Sequence, residues 1–270
     1  MSVKEPGARD RASFGMIASG ALLALILVVG AVVYFTSGDP EVDDAPPPAQ
    51  AVGGTGFADP EVDLLGRRID IPNNPAGQPL AQEPATRRTP ADSDWLTAAP
   101  EGTAKPHGWQ RVYGASVPFS TSDGPERIED GRAVGFARTP QGAALAAAQI
   151  TYRLSARPAD RALYLTQVRP SSAQLAAYDS AWSSDKLPKQ QPEKVTRYFV
   201  ASDAFKIDDY ADDMAIVRLA SRGPVIDGKQ LYAAMRMIVV WDEGDWRLKP
   251  STTTNAQTEY VETLAGWTKW

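Results

Sequence analysis

GRAVGFARTPQGAALAAAQ, running from Gly131 to Gln149, reads either as a glycine-rich phosphate loop opening a helix or as a capped structural helix, and the fold class turns on the choice. A phosphate loop needs Gly-Lys-Ser/Thr at the helix start. A dinucleotide fold needs its glycines directly after a strand, with an acid about 20 residues further on. TPQGA, Thr139–Ala143, has neither feature. Thr139 supplies a capping hydroxyl, and Pro140 suits the first helical position because its missing N–H would be unpaired there anyway. Ala143, Ala146, Ala147, Ile150 and Leu154 then recur at helical spacing. The stretch predicts a capped helix whose small-residue face lies close against a sheet.

Working outward, Pro158–Gln167 and Ser171–Trp182 predict two more helices, each opening at Pro or Ser and closing before a polar break. After SSDKLPKQQPEK the apolar pattern changes to period two, in KVTRYFVAS (194–202), DMAIVRLAS (213–221), KQLYAAMRMIVVW (229–241) and WRLKPS (246–251). Leu231, Ala233, Met235, Met237, Val239 and Trp241 fall on one face of the third, as in a half-buried antiparallel strand. DEGD, Asp242–Asp245, predicts a hairpin turn. Helices followed by a strand meander give an α+β class: a cone of about three helices packed on a curved antiparallel sheet.

The rest of the chain divides by composition. Residues 1–13 read as a cytoplasmic tail. Phe14–Phe35, FGMIASGALLALILVVGAVVYF, holds 22 residues without a charge, about 33 Å as a helix against a hydrocarbon core of roughly 30 Å. It predicts contact with a lipid bilayer as a transmembrane helix with ends at Phe14 and Phe35. A cleaved signal peptide is the rival reading, but the apolar run is too long and YFTSGDPEV offers no small-x-small cleavage site. Lys4, Arg9 and Arg11 precede the span, whereas seven acidic and no basic residues lie between Thr36 and Gly66. That asymmetry keeps the amino end cytoplasmic and puts the remainder outside, in a single-pass membrane protein. Residues 36–106 predict a disordered Pro-rich linker, with 12 of the 22 prolines between Gly38 and Pro106. DPEVD occurs in it twice, at Asp39–Asp43 and Asp59–Asp63. Residues 107–270 hold six of the seven tryptophans and predict one folded domain, able to stand alone from about Pro100.

Chemistry-bearing patterns are sparse. His107 is the single histidine and there is no cysteine, which leaves little from which to build a zinc site, a Ser-His-Asp triad or a disulfide. KIDDYADDM, Lys206–Met214, lacks the spacing of a calcium loop and reads as a polar connection between strands. Tyr152, Tyr164 and Tyr178 are positioned to point into a cone, where an Asp–Tyr acid–base pair would make an isomerase-like or small-molecule-binding pocket. The preferred reading is core packing, with no catalytic, cofactor-binding or metal residues and no enzyme activity. A net charge of −5 and isolated Arg pairs argue against a dedicated nucleic-acid surface.

The anchor, the Pro-rich stalk, HGWQRV, VPFSTSDGP, GRAVGFARTPQGAALAA and the closing LAGWTKW together resemble a family of actinobacterial membrane proteins found with conjugative elements. The resemblance covers most of Trp109–Trp270. It implies a fold like nuclear transport factor two, shared with the VirB-type bitopic assembly factor of type IV secretion and the Tcp conjugation proteins of clostridial plasmids. Those are scaffold subunits, so the implied partners are other membrane or channel proteins of a transfer complex, with a possible homo-oligomer. Mce-associated membrane proteins share the plan, which makes lipid-transport assembly a second scaffold reading. Trp267 and Trp270 are the partner-binding candidates, the alternative being burial against the domain's own sheet, with Leu264 and Trp267 sharing a helical face.

Overall fold

The computed structural model describes residues 54–200, 202–251 and 258–270. The expected span Phe14–Phe35 and the first DPEVD lie outside the described residues; among these, no helix is long and apolar enough to cross a membrane.

The helix opened by Thr139 is present as α1, Pro140–Ala156. The Thr139 hydroxyl accepts from the Gly142 amide at 2.9 Å, capping it as its sequence requires. It is followed by α2 (Arg161–Gln167), α3 (Ser172–Ser183) and the single-turn α4 (Glu193–Thr196). The second helix starts three residues later than Pro158 because the Asp160 carboxylate, not the proline, caps it, accepting from the Leu163 amide. Ser171 and Gln174 form a reciprocal capping box at α3.

The large sheet contains β7 (Ala204–Ala211), β8 (Met214–Ile226), β9 (Lys229–Asp242), β10 (Asp245–Lys249), β11 (Thr258–Val261) and β12 (Thr268–Lys269). Its order is β10-β9-β8-β7-β12, with β11 on the same edge of β9 as β10. All these pairs are antiparallel. The DEGD hairpin forms as expected, with Glu243 and Gly244 at φ 51° and 78°. Met235, Met237 and Val239 are buried, Trp241 packs against the same core, and α1 lies across that face.

Three sequence expectations are corrected here. The strand expected over 194–202 is the short helix α4 followed by irregular chain, because Pro192 opens a helical turn and the Val195/Phe199 contacts satisfy the apolar pattern without a ladder. The polar connection expected over 206–214 is mostly strand: β7 runs through Ala211, a bulge near Asp208 accommodates the acid cluster, and the turn is only Asp212-Asp213.

The third correction is the largest. From Gly54 onward the predicted linker is folded, so the domain spans 54–270 instead of 107–270. β1 (Phe57–Val62, containing the second DPEVD), β2 (Arg68–Pro72), β3 (Trp109–Val112) and β4 (Ala115–Pro118) form a second sheet in that order, and β5 (Arg127–Glu129) pairs with β6 (Arg132–Val134). The prolines occupy positions that tolerate them: Pro60 at the bulge of an edge strand, Pro72 closing β2, Pro84 opening a 3-10 turn. Ile69, Ile71, Ala76 and Ala98 are buried, a small apolar load that is sufficient because the layer packs on α1.

All 17 residues of α1 are therefore buried, one side against the large sheet and the other against the amino-terminal layer. Its polar stripe donates to main-chain carbonyls of that layer: Gln141 to Trp95 (2.8 Å) and Ala98 (3.2 Å), Gln149 to Pro118 (2.6 Å), and Arg153 to Ala76 (2.8 Å).

Candidate functional site

The partner-binding candidates Trp267 and Trp270 dock on the molecule itself. Thr268 and Lys269 pair with Phe205 and Ala204, and Leu264–Trp267 before them is a single turn closed by the Trp267 amide donating to Leu264 carbonyl oxygen at 3.1 Å, so the helical face expected for Leu264 and Trp267 does not form. Strand alternation sends the two indoles to opposite faces. Trp270 turns inward, its ring 4.5 Å from that of Phe205 and edge-on to Trp109 at 5.8 Å, with the indole N–H donating to the Ser202 hydroxyl at 2.8 Å. The Thr268 hydroxyl donates to Thr97 carbonyl oxygen at 2.9 Å. Trp267 turns outward and lies 5.3 Å from the Arg218 guanidinium.

On that outer face, opposite α1, Arg218 sits centrally on β8. It donates to Asp208 at 2.7 Å and Glu259 at 2.5 Å, and the hydrogen bond to Asp208, ahead of its other contacts, holds its pKa above the ordinary arginine value. Next to it Ala204, Ala220 and Ala234 are directly opposed across β7, β8 and β9. They are fully buried, yet belong to no part of the main core. β11 lies on one edge of the sheet and β12 on the other, so Glu262–Trp267 must cross the sheet between them. The crossing covers that face of the sheet, and the three alanines lie buried on it.

The remaining candidates are held by structural contacts. Tyr164 and Tyr178 stack at 3.8 Å, and the Tyr178 hydroxyl donates to Pro158 carbonyl oxygen at 2.9 Å. Burial raises the Tyr164 pKa to about 12 and raises that of Tyr178 as well. Tyr152 is buried against Ser221, its pKa raised by desolvation. His107 adopts φ 68°, donates its amide to Asp70 at 2.7 Å, and stacks its ring on Phe57 at 3.9 Å. Among the described residues no cluster of three metal-ligating side chains forms.

Sequence reasoning missed a buried polar cluster beside the α1 amino terminus. The Asp123 carboxylate accepts from the Ser122 and Thr139 hydroxyls, each at 2.5 Å, and Ser120 accepts from the Ser122 and Asp123 amides. Desolvation pushes the Asp123 pKa up, outweighing these donors. The Ser-Thr-Ser-Asp run was the available signal, a chain of short hydroxyl donors ending in an acid, but it lies 16 residues ahead of the helix cap it joins. Each group already has its partner, so the cluster braces the helix entry.

A family model described as a domain of unknown function (DUF8175) matches residues 70–269. No curated protein and no solved structure matches the chain.

Proposed function

The chain belongs to the DUF8175 family, and we propose that it is a membrane-anchored scaffold subunit of a conjugative, type IV secretion-like apparatus, acting through protein contacts of its extracytoplasmic domain. The observation that carries this reading is the enclosure of α1. Helices on one face of an antiparallel sheet would form the cone of a nuclear-transport-factor-two-like domain. Here the helix is clad on its other side too, and its Gln141, Gln149 and Arg153 side chains donate to main-chain carbonyls of that layer. The working parts of such a protein are its surfaces. A membrane anchor at Phe14–Phe35 leaves only the 18 residues Thr36–Gly53 before the fold, so the domain would stand within about 60 Å of the bilayer.

Two measurements test this. Protease added to intact, wall-stripped cells should release the domain beginning near Gly54; protection of that domain overturns the topology. Deletion of the protein should abolish plasmid transfer and remove it from cross-linked channel complexes, whereas normal transfer in its absence overturns the scaffold role.

A further inference from the structure

The outer face of the large sheet carries cations that have no ion-pair partner among the described residues. We propose that this face is a docking site for an acidic extended segment, and that its occupant is the chain's own Asp39–Asp44, DPEVDD.

Three observations carry it. The first is a row of like charges. One row along from the buried alanines, Lys206, Arg218 and Arg236 are directly opposed across β7, β8 and β9. Like charges set opposite one another destabilise a sheet. Asp208 and Glu259 both bind Arg218, the middle member, and among the described residues neither Lys206 nor Arg236 has an ion-pair partner. In the next row Ile216 and Ile238 are opposed and half-buried, with exposed Asp209 beside Ile216 and exposed Lys249 beside Ile238.

The second is how the same pentapeptide behaves elsewhere in the fold. The other DPEVD, Asp59–Asp63, runs extended through β1, and its acids take arginines: Glu61 pairs with Arg111 at 3.2 Å and Asp63 with Arg67 at 3.1 Å. The copy at Asp39–Asp43 adds a further acid, Asp44, and lies outside the described residues. On an extended chain Asp39, Glu41 and Asp43 share one side over about 13 Å, which suits a row of three cations about 10 Å long. The third is reach. The ten-residue step from Asp44 to Gly54, where the described fold begins, spans up to about 35 Å, whereas the two sheets that enclose α1 lie about 20 Å apart.

The ligand class is therefore a short peptide with carboxylates at alternate positions. The docking does not rest on the membrane anchor; one consequence does. With a span ending at Phe35, only Thr36, Ser37 and Gly38 separate it from the docked segment, so docking holds the outer face towards the bilayer.

The test is carbodiimide coupling of the full chain, which joins a carboxylate to a lysine amine where the two are in contact. In detergent micelles at low salt, Asp39–Asp44 should couple to Lys206 or Lys249, read by mass spectrometry, in clear excess over the exposed lysines Lys105 and Lys186 outside this face. Raising salt to about 1 M should lower the yield about tenfold. Arg236→Glu, which leaves both target lysines in place, should lower it about fivefold, and Arg236→Gln by less, at an unchanged denaturant midpoint. Equal coupling to all four lysines, or a yield that Arg236→Glu leaves unchanged, overturns the docking. Coupling found only between differently isotope-labelled chains in a mixed sample overturns the intrachain occupant. Release of the chain from vesicles by alkaline carbonate, with the coupling intact in micelles, overturns the anchor and supports the docking.

Discussion

Arg153 is fully buried without a carboxylate beside it; its guanidinium is held by Ala76 and Gly131 carbonyl oxygens and the Gln149 side chain. Desolvation, with the nearby Arg157 charge acting in the same direction, lowers its pKa to about 10, so it remains charged at neutral pH, and its hydrogen bonds go to main-chain and amide oxygens. Arg153→Leu strands three acceptors, and a loss of at least about 3 kcal/mol is expected in urea unfolding, with new protease cuts between 76 and 106. Wild-type stability in that variant would show that the guanidinium is dispensable. Asp123 gives the opposite kind of test. Its folded pKa lies above the unfolded value of 3.8, so the folded state binds the extra proton, and this residue's contribution falls as pH rises through the interval between the two values. Asp245 has the same sign, raised by burial against three amide donors. Relative to wild type, Asp123→Asn is therefore expected to be more stable at pH 7 than at pH 4. An equal difference at both, measured by denaturant midpoints, would show that the carboxylate does not titrate across folding.

α1 shows how packing overrides intrinsic preference. Gly142, in its first turn, would ordinarily gain about 1 kcal/mol on replacement by alanine. A Cβ there would meet Ala137 carbonyl oxygen at 2.0 Å, so Gly142→Ala is expected to destabilise by several kcal/mol, a sign that a thermal melt reads directly. The cap, the alanine face and the hairpin at Asp242–Asp245 were legible because each is a local rule expressed within four or five residues. The amino-terminal layer was not. Its aliphatic content is too small to bury itself, and its stability resides in donors 40 to 80 residues away, such as Gln141 reaching Trp95 and Arg153 reaching Ala76. One trace was present: Gln141, Gln149 and Arg153 share a helix side that reads as solvated, and its pairing with carbonyls becomes visible only when the layer is in place. The strand expected over 194–202 failed for a related reason, since Val195 and Phe199, which are in period-two register, reach the core equally well from a helical turn and a loop. For the site, Trp267 and Trp270 stood out in the sequence, but their receptor, assembled from Thr97, Trp109, Ser202, Phe205 and Arg218, is dispersed along the chain.

The whole domain is closed at both ends of its described chain. A fragment starting at Gly54 is expected to unfold cooperatively, whereas one starting at Pro100 loses β1, β2 and the acceptors at Ala76, Trp95 and Ala98, and is expected to lack a sharp transition. Removing Gly266–Trp270 should cost about 3 to 5 kcal/mol from the Trp270 side chain alone; an unchanged midpoint would show that the segment does not support the fold. The same closure has a temporal meaning. Thr268 meets Thr97 across 171 residues of sequence, and Trp109 cannot complete its packing until Trp270 arrives. Such distant pairings form late, because loop closure must precede any gain from contact. While the chain is still being made, its amino-terminal half has no finished partner and stays pliable. Such a domain cannot lock shut before its last strand has been made, so that strand sets the time at which the fold closes.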